Sequence, residues 1–213
     1  MKKIAIAASF LMLLFSNSLK AEIQYGFALI GGQTDISGTE TEGTATDTSD
    51  RTKSLKEIFV GGDIFVEKVM DSGVTYGLSY VPLNISVGDG ERTDTTTGAD
   101  IASEADTGTR TAKAELANLI TAYANIPMGS NGWYGLVGGL MTTVETKETL
   151  PNSSYGNEDI YGYQIGFGQR SGKFKYELAY TDFEDISISS SGGNSNSVTA
   201  DADALTLRLS FGF

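Results

Sequence analysis

Histidine and cysteine are both absent from this 213-residue chain. Without Cys there is no disulfide framework, no thiolate metal site and no thiol nucleophile. Without His there is no Ser-His-Asp triad, no imidazole base and no His-ligated metal. The common designs for hydrolases and metalloenzymes are excluded, leaving carboxylate pairs or the chemistry of a borrowed cofactor. Cations are scarce as well: 15 Lys+Arg face 27 Asp+Glu, a net charge of −12, which has the wrong sign for a nucleic-acid partner. Proline, at 3 residues, is too rare for a collagenous or Pro-rich chain. After residue 21 there is no apolar run near the length of a helical membrane span. Glycine is the one excess, at 26 residues where about 7% is usual.

Residues 1–21 (MKKIAIAASFLMLLFSNSLKA) combine Lys2 and Lys3 with an apolar run over Ile4–Phe15 and small residues before Ala21. That order predicts a Sec-type bacterial signal peptide, too short to span a bilayer as a helix. Residues 22–213 then form a single domain. Loss of Lys2, Lys3 and Lys20 with the leader takes the net charge from −12 to −15.

Period-2 alternation recurs throughout residues 22–213. It is clearest at the end, where Leu205, Leu207, Leu209, Phe211 and Phe213 alternate with Thr206, Arg208, Ser210 and Gly212, one apolar face against one small or polar face. The same pattern sets Ile23, Tyr25, Phe27 and Leu29 against Gln24, Gly26 and Ala28. Ile58, Val60, Ile64 and Val66 oppose Glu57, Gly61 and Asp63, and Val74–Tyr80, Asp159–Gln169 and Lys173–Thr181 behave alike. Arg110–Ile126 and Trp133–Thr146 complete eight predicted strands with mixed faces; in the former, Asn118 falls out of phase. Long connections (about 35–52, 88–109, 147–158 and 185–199) strictly alternate with short ones (67–73, 127–132, 170–172). The long ones therefore gather at one end of an antiparallel meander.

Side-chain size orients the sheet. The apolar face carries Tyr, Phe, Leu and Ile, and the other carries Gly, Ala, Ser and Thr with scattered charges. An eight-stranded interior is just wide enough for side chains to fill it, so the bulky face points outward, where it needs lipid. Aromatics support this by clustering at the two ends. Tyr25, Phe65, Tyr76, Tyr123, Trp133, Tyr134, Phe167, Phe174, Tyr176, Phe211 and Phe213 lie towards the short turns. Phe59, Tyr80, Tyr161, Tyr163, Tyr180 and Phe183 lie towards the long loops. Two aromatic belts suit two water–lipid boundaries.

The terminal LTLRLSFGF, with Leu207, Leu209, Phe211 and Phe213 on alternate positions, resembles the sorting signal of small eight-stranded outer-membrane proteins such as the OmpA transmembrane domain and OmpX. The resemblance extends over the whole mature chain. It implies an all-β, up-and-down transmembrane barrel in the bacterial outer membrane, with its termini in the periplasm. The partners it implies are the lipid bilayer, lipopolysaccharide and the barrel-assembly machinery.

Glu57, Lys113, Glu115, Lys175, Glu177 and Arg208 fall on the non-lipid face of their strands and form a predicted lumenal charge network. Charges in a narrow interior must be paired or hydrated. A structural ion-pair plug is the expectation; by resemblance to OmpA-like barrels, the network could also act as a gate. The acidic stretch Gly88–Arg110 offers carboxylates but lacks the Ca²⁺-loop spacing. GFGQRSGK at Gly166–Lys173 misses the phosphate-loop spacing. Enzymatic outer-membrane barrels use a His, which this chain lacks, so no catalytic residue, metal or cofactor is expected. The function these features imply is anchorage and display of acidic, Thr/Ser-rich external loops, in a structural or surface-interaction role towards an extracellular ligand that loop composition does not specify. Two alternatives stay open: a narrow gated channel for ions or small solutes, and a lipocalin-like carrier with the bulky face inside.

Overall fold

The computed structural model describes residues 22–44, 47–94, 108–149, 154–191 and 196–213. The predicted signal peptide, and Asp100, Glu104 and Asp106 of the acidic stretch, lie outside the described residues. Ten strands follow in order: β1 (Glu22–Thr44), β2 (Asp47–Val69), β3 (Thr75–Val81), β4 (Ile85–Asp94), β5 (Gly108–Pro127), β6 (Trp133–Glu148), β7 (Glu158–Ser171), β8 (Phe174–Phe183), β9 (Ile186–Ser189) and β10 (Ser197–Gly212). All pairings are antiparallel, and β1 closes on β10 from Gly26↔Gly212 to Thr41↔Ser197. Both β3 and β4 pair with β5, and both β8 and β9 pair with β10. Each couple is one interrupted stave, which gives the eight staves expected. Pro82, in the first interruption, has no N–H to donate to a ladder.

Outward side chains draw a membrane band. Ile58 and Val60 are 81% and 80% exposed, and Tyr25, Leu29, Ile165, Phe174, Leu205 and Leu207 are also open. An apolar surface of this extent needs lipid. The exterior turns polar at Asp35, Lys56, Asp159 and Asp203, and Lys56 pairs with Asp35 across the β1–β2 ladder. Trp133, Phe167, Phe174 and Tyr176 girdle one margin of the band, while Tyr80, Tyr161, Tyr163 and Tyr180 mark the other.

Two expectations need correction. First, much of the expected long connections is ladder, not loop: β1 and β2 pair from Glu22↔Val69 to Thr44↔Asp47 through 35–52, β4 and β5 pair out to Asp94↔Gly108 within 88–109, and β9 pairs with β10 within 185–199. A strand of 23 residues is about 75 Å long at ~3.3 Å per residue. Even when tilted, it far outreaches an apolar band ~25 Å tall. Much of β1 and β2 therefore stands outside the bilayer. Second, not every bulky residue faces lipid. Phe65, Tyr123 and Tyr134 of one predicted belt and Phe59 and Phe183 of the other point inward and are buried.

Candidate functional site: a layered lumen

The lumen has three levels, and the one nearest the short turns is ionic. Arg208 of β10 grips Asp63 of β2 with two parallel bonds, Nε–Oδ2 at 2.7 Å and Nη2–Oδ1 at 2.9 Å. Its Nη1 reaches Glu177 Oε2 at 2.6 Å. Tyr134 donates its hydroxyl to the other oxygen of Glu177 at 2.9 Å. Lys175, 3.9 Å from Glu177, also binds Glu67. Glu67 in turn accepts from Tyr123 at 2.7 Å and from Arg170 at 3.0 Å. Three cations (Arg170, Lys175, Arg208) face three carboxylates (Asp63, Glu67, Glu177), so the buried set is neutral, as a low-dielectric interior requires. The Phe65 ring lies between the two deepest cations, 4.7 Å from Lys175 Nζ and 4.9 Å from Arg208 Cζ.

Glycine makes room for the aromatic donors. A Cβ at Gly77 would lie 2.2 Å from Tyr123 Cζ, and one at Gly168 would lie 2.7 Å from Tyr134 Cζ. The glycine excess on the lumenal face thus lets two tyrosines lie flat against the wall and reach the acids.

Above the plug the interior becomes apolar. Ile30, Phe59, Val81, Leu119, Leu136 and Leu140 surround a small cavity of about 80 Å³. Beyond this waist lies a wider cavity of about 450 Å³, lined by Ile36, Leu55, Val87, Leu116, Val144, Ile160, Ile186 and Ile188 among others. The levels where these residues point inward carry Asp35, Ser54, Lys56, Asp159 and Asp203 outside. At the plug the wall is oily outside and polar inside, at the waist it is apolar on both faces, and beyond the membrane it is polar outside and apolar inside.

Three of the six expected network residues, Lys175, Glu177 and Arg208, meet in the plug. Glu57 has lumenal parity but stands apart, at the level of Thr34, whose hydroxyl donates to the Glu57 carbonyl. Lys113 and Glu115 contradict the expectation, because both lie on the outer wall. A bulge between Ala117 and Ile120, with Asn118 in the left-handed region at φ 55°, reverses the parity of β5. Thr121 and Tyr123 point inward below it, and Ala112, Ala114 and Leu116 point inward above it. Asp63, Glu67, Arg170, Tyr123 and Tyr134 were missed. Asp63 shares the polar face of β2 with Glu57 in the sequence and needed only to be counted with it, and the same parity would have found Glu67 had the strand been carried to Val69 rather than ended at a turn beginning with Glu67. The terminal residues Leu207, Leu209 and Phe213 face outward, and the Phe213 ring meets Tyr25 edge-on at 5.1 Å across the β1–β10 seam.

On the outer wall above the membrane, Glu115 is bound by Lys113 and Lys147, each at 2.7 Å, and by Asn84 Nδ2 at 3.1 Å. These donors, Lys113 foremost, hold its carboxyl down at about 2. Because the folded value lies below the unfolded one, the cluster stabilises the extension above the ordinary carboxylate range, and this is lost as pH falls towards 2. A carboxyl-carbon NMR titration is expected to give a Glu115 midpoint near 2, moved upward by Lys147→Met. An ordinary midpoint in the wild type would remove the cluster from the account.

A closed antiparallel ring with an oily belt outside and paired charges inside defines an outer-membrane β-barrel. No protein-family model matches the chain, and no curated protein sequence matches it. Solved structures do. The outer membrane protein OprG from Pseudomonas aeruginosa is similar with a TM-score of 0.47, at 14% identity, over 88% of this chain and 94% of that one. Neisserial surface protein A gives 0.41 at 10% identity, over 89% and 97%. The outer membrane protease OmpT from Escherichia coli gives 0.45 at 10% identity, over 92% and 99%. At such identities the likeness is one of fold.

Proposed function

We propose that this chain is a non-catalytic outer-membrane barrel, exported by residues 1–21, that carries an acidic, Thr/Ser-rich β-extension and its loops on the cell surface. Its role is structural or one of surface interaction. The single observation that supports this is the plug: every cation in it is tied to a carboxylate, and an apolar waist lies directly above. Ions crossing the lumen would have to displace these pairs and then pass a narrow stretch lined mainly by apolar side chains, with only neutral polar groups such as Thr34, Thr121, Gln164 and Thr181 among them. Lipopolysaccharide and the barrel-assembly machinery are the partners such a barrel needs in the outer membrane. OmpT is a protease by name, but this chain has no His or Cys from which to build an activated nucleophile.

Planar-bilayer recording separates display from a narrow gated channel. The expected result is a silent bilayer for the wild type at protein concentrations that give dense insertion. A steady unitary conductance, altered by Glu177→Ala, would replace surface display with transport.

A further inference from the structure

The external cavity has a lining that the display role does not use. At about 450 Å³ it lies within the usual range of small-molecule sites. It is about three times the apolar cavity that takes up one benzene, so it holds a molecule on the order of 10 to 15 heavy atoms. Ile160, at its floor, is 1% exposed. Leu116, Val144, Ile186 and Ile188 contribute from β5, β6 and β9. The outer wall at this height is polar, so these side chains do not serve the membrane.

From this reversal of polarity we infer that the external part of the barrel is a binding cup for a small uncharged apolar molecule, such as a medium-length aliphatic alcohol or a fused aromatic hydrocarbon. The interior excludes charge because it offers a desolvated ion no partner. The rim adds a sign preference: Glu40 and Glu91 outnumber Lys53, and Tyr155 and Asn196 both donate to Glu40, at 3.0 and 3.4 Å. An anionic amphiphile meets that rim unfavourably, whereas a neutral one does not. The site is a dead end, since the waist and the ionic plug close it below. It therefore captures a molecule and does not conduct it, independently of what the loops bind.

The chain's own isoleucines supply the test. In lipid nanodiscs, ¹³C-labelled Ile δ1 methyls report both environments, with Ile160, Ile186 and Ile188 in the cup and Ile23, Ile58 and Ile64 against lipid. Titration with naphthalene is expected to shift the cup methyls saturably and the lipid-facing methyls only in proportion to concentration. Ala202→Phe, which fills the cup, is expected to weaken saturation at least tenfold while leaving the heat-dependent gel shift of a folded barrel intact. Ala200→Leu serves the same purpose should the larger side chain prevent folding. Decan-1-ol is expected to bind at least tenfold more tightly than decanoate. Non-saturable shifts in both methyl sets, or saturation unchanged in a folded filled-cup variant, would overturn the cup. Equal binding of decanoate would overturn its selectivity for uncharged molecules.

Discussion

Arg208→Met is expected to destabilise the barrel by about 3–5 kcal/mol, the usual cost of removing one partner from a buried ion network. The cost arises in what is left behind. Asp63 and Glu177, with side chains 3% and 1% exposed, would lose the guanidinium that binds both. Tyr134 still donates to Glu177 and Lys175 still lies 3.9 Å from it, but Lys175 also binds Glu67, and nothing replaces the paired bonds that held Asp63. Urea unfolding in lipid vesicles should show a lower midpoint with an unchanged slope. The double variant Asp63→Asn, Arg208→Met removes one charge of each sign and is expected to recover most of the loss, because Arg170 and Lys175 then face Glu67 and Glu177 in a set that is neutral again. A single variant as stable as the wild type would mean that the plug contributes no net stability.

Leu207→Arg is expected to cost about 2–4 kcal/mol, since it sets a cation near the middle of the lipid-facing band. Leu207 is half-exposed and pairs with Leu178 on one side and Gly31 on the other, so lipid alone covers it. The informative control is Ser54→Arg. Ser54 is also an outward position, on β2 opposite Ser37, but it lies beyond the band, where a surface substitution changes stability by no more than about 0.5 kcal/mol. Both are read in the same vesicle titration. Equal costs at the two positions would place the membrane boundary elsewhere.

The membrane-spanning part of this fold was legible because alternation is strong where one face meets lipid and the other meets a packed lumen. Leu205 to Phe213 and Phe174 to Tyr180 declare both strand and phase. Three features obscured the rest. In β1 and β2 beyond the bilayer, Thr, Ser, Gly and Glu occupy both faces, so an extended ladder has the composition of a loop. It is strand because β1 is laddered on both edges and β2 is laddered to β1 along its whole length, which is a property of the assembled sheet. The inward apolar residues there, such as Ile36 and Leu55, are too widely spaced to register as a second alternation of opposite phase. In β5 the difficulty was local. Asn118 already stood out of phase in the sequence, and an Asn that breaks a two-residue period is a bulge signal. Carrying one phase through it put Lys113 and Glu115 on the wrong side of the wall. Two plug residues were hidden at strand ends, because Glu67 and Arg170 look like turn residues unless the strands are run to Val69 and Ser171.

The interruption at Pro82 bears on how the wall yields. β2 and β3 are stitched only from Ile64↔Tyr80 to Val69↔Thr75, and above that level β4 is laddered to β5 alone among the described residues. Parting β1 from β2 would break backbone bonds along the whole stave, whereas parting β2 from β4 breaks no ladder. Side chains hold that line instead: the Ile85 and Leu55 methyls reach towards Gly61 and Gly88 across it. Among the described residues the external barrel therefore lacks a ladder along this line, on the side where Leu55 and Val87 line the cavity, and β9, laddered to β10 alone, leaves a second such line against β7.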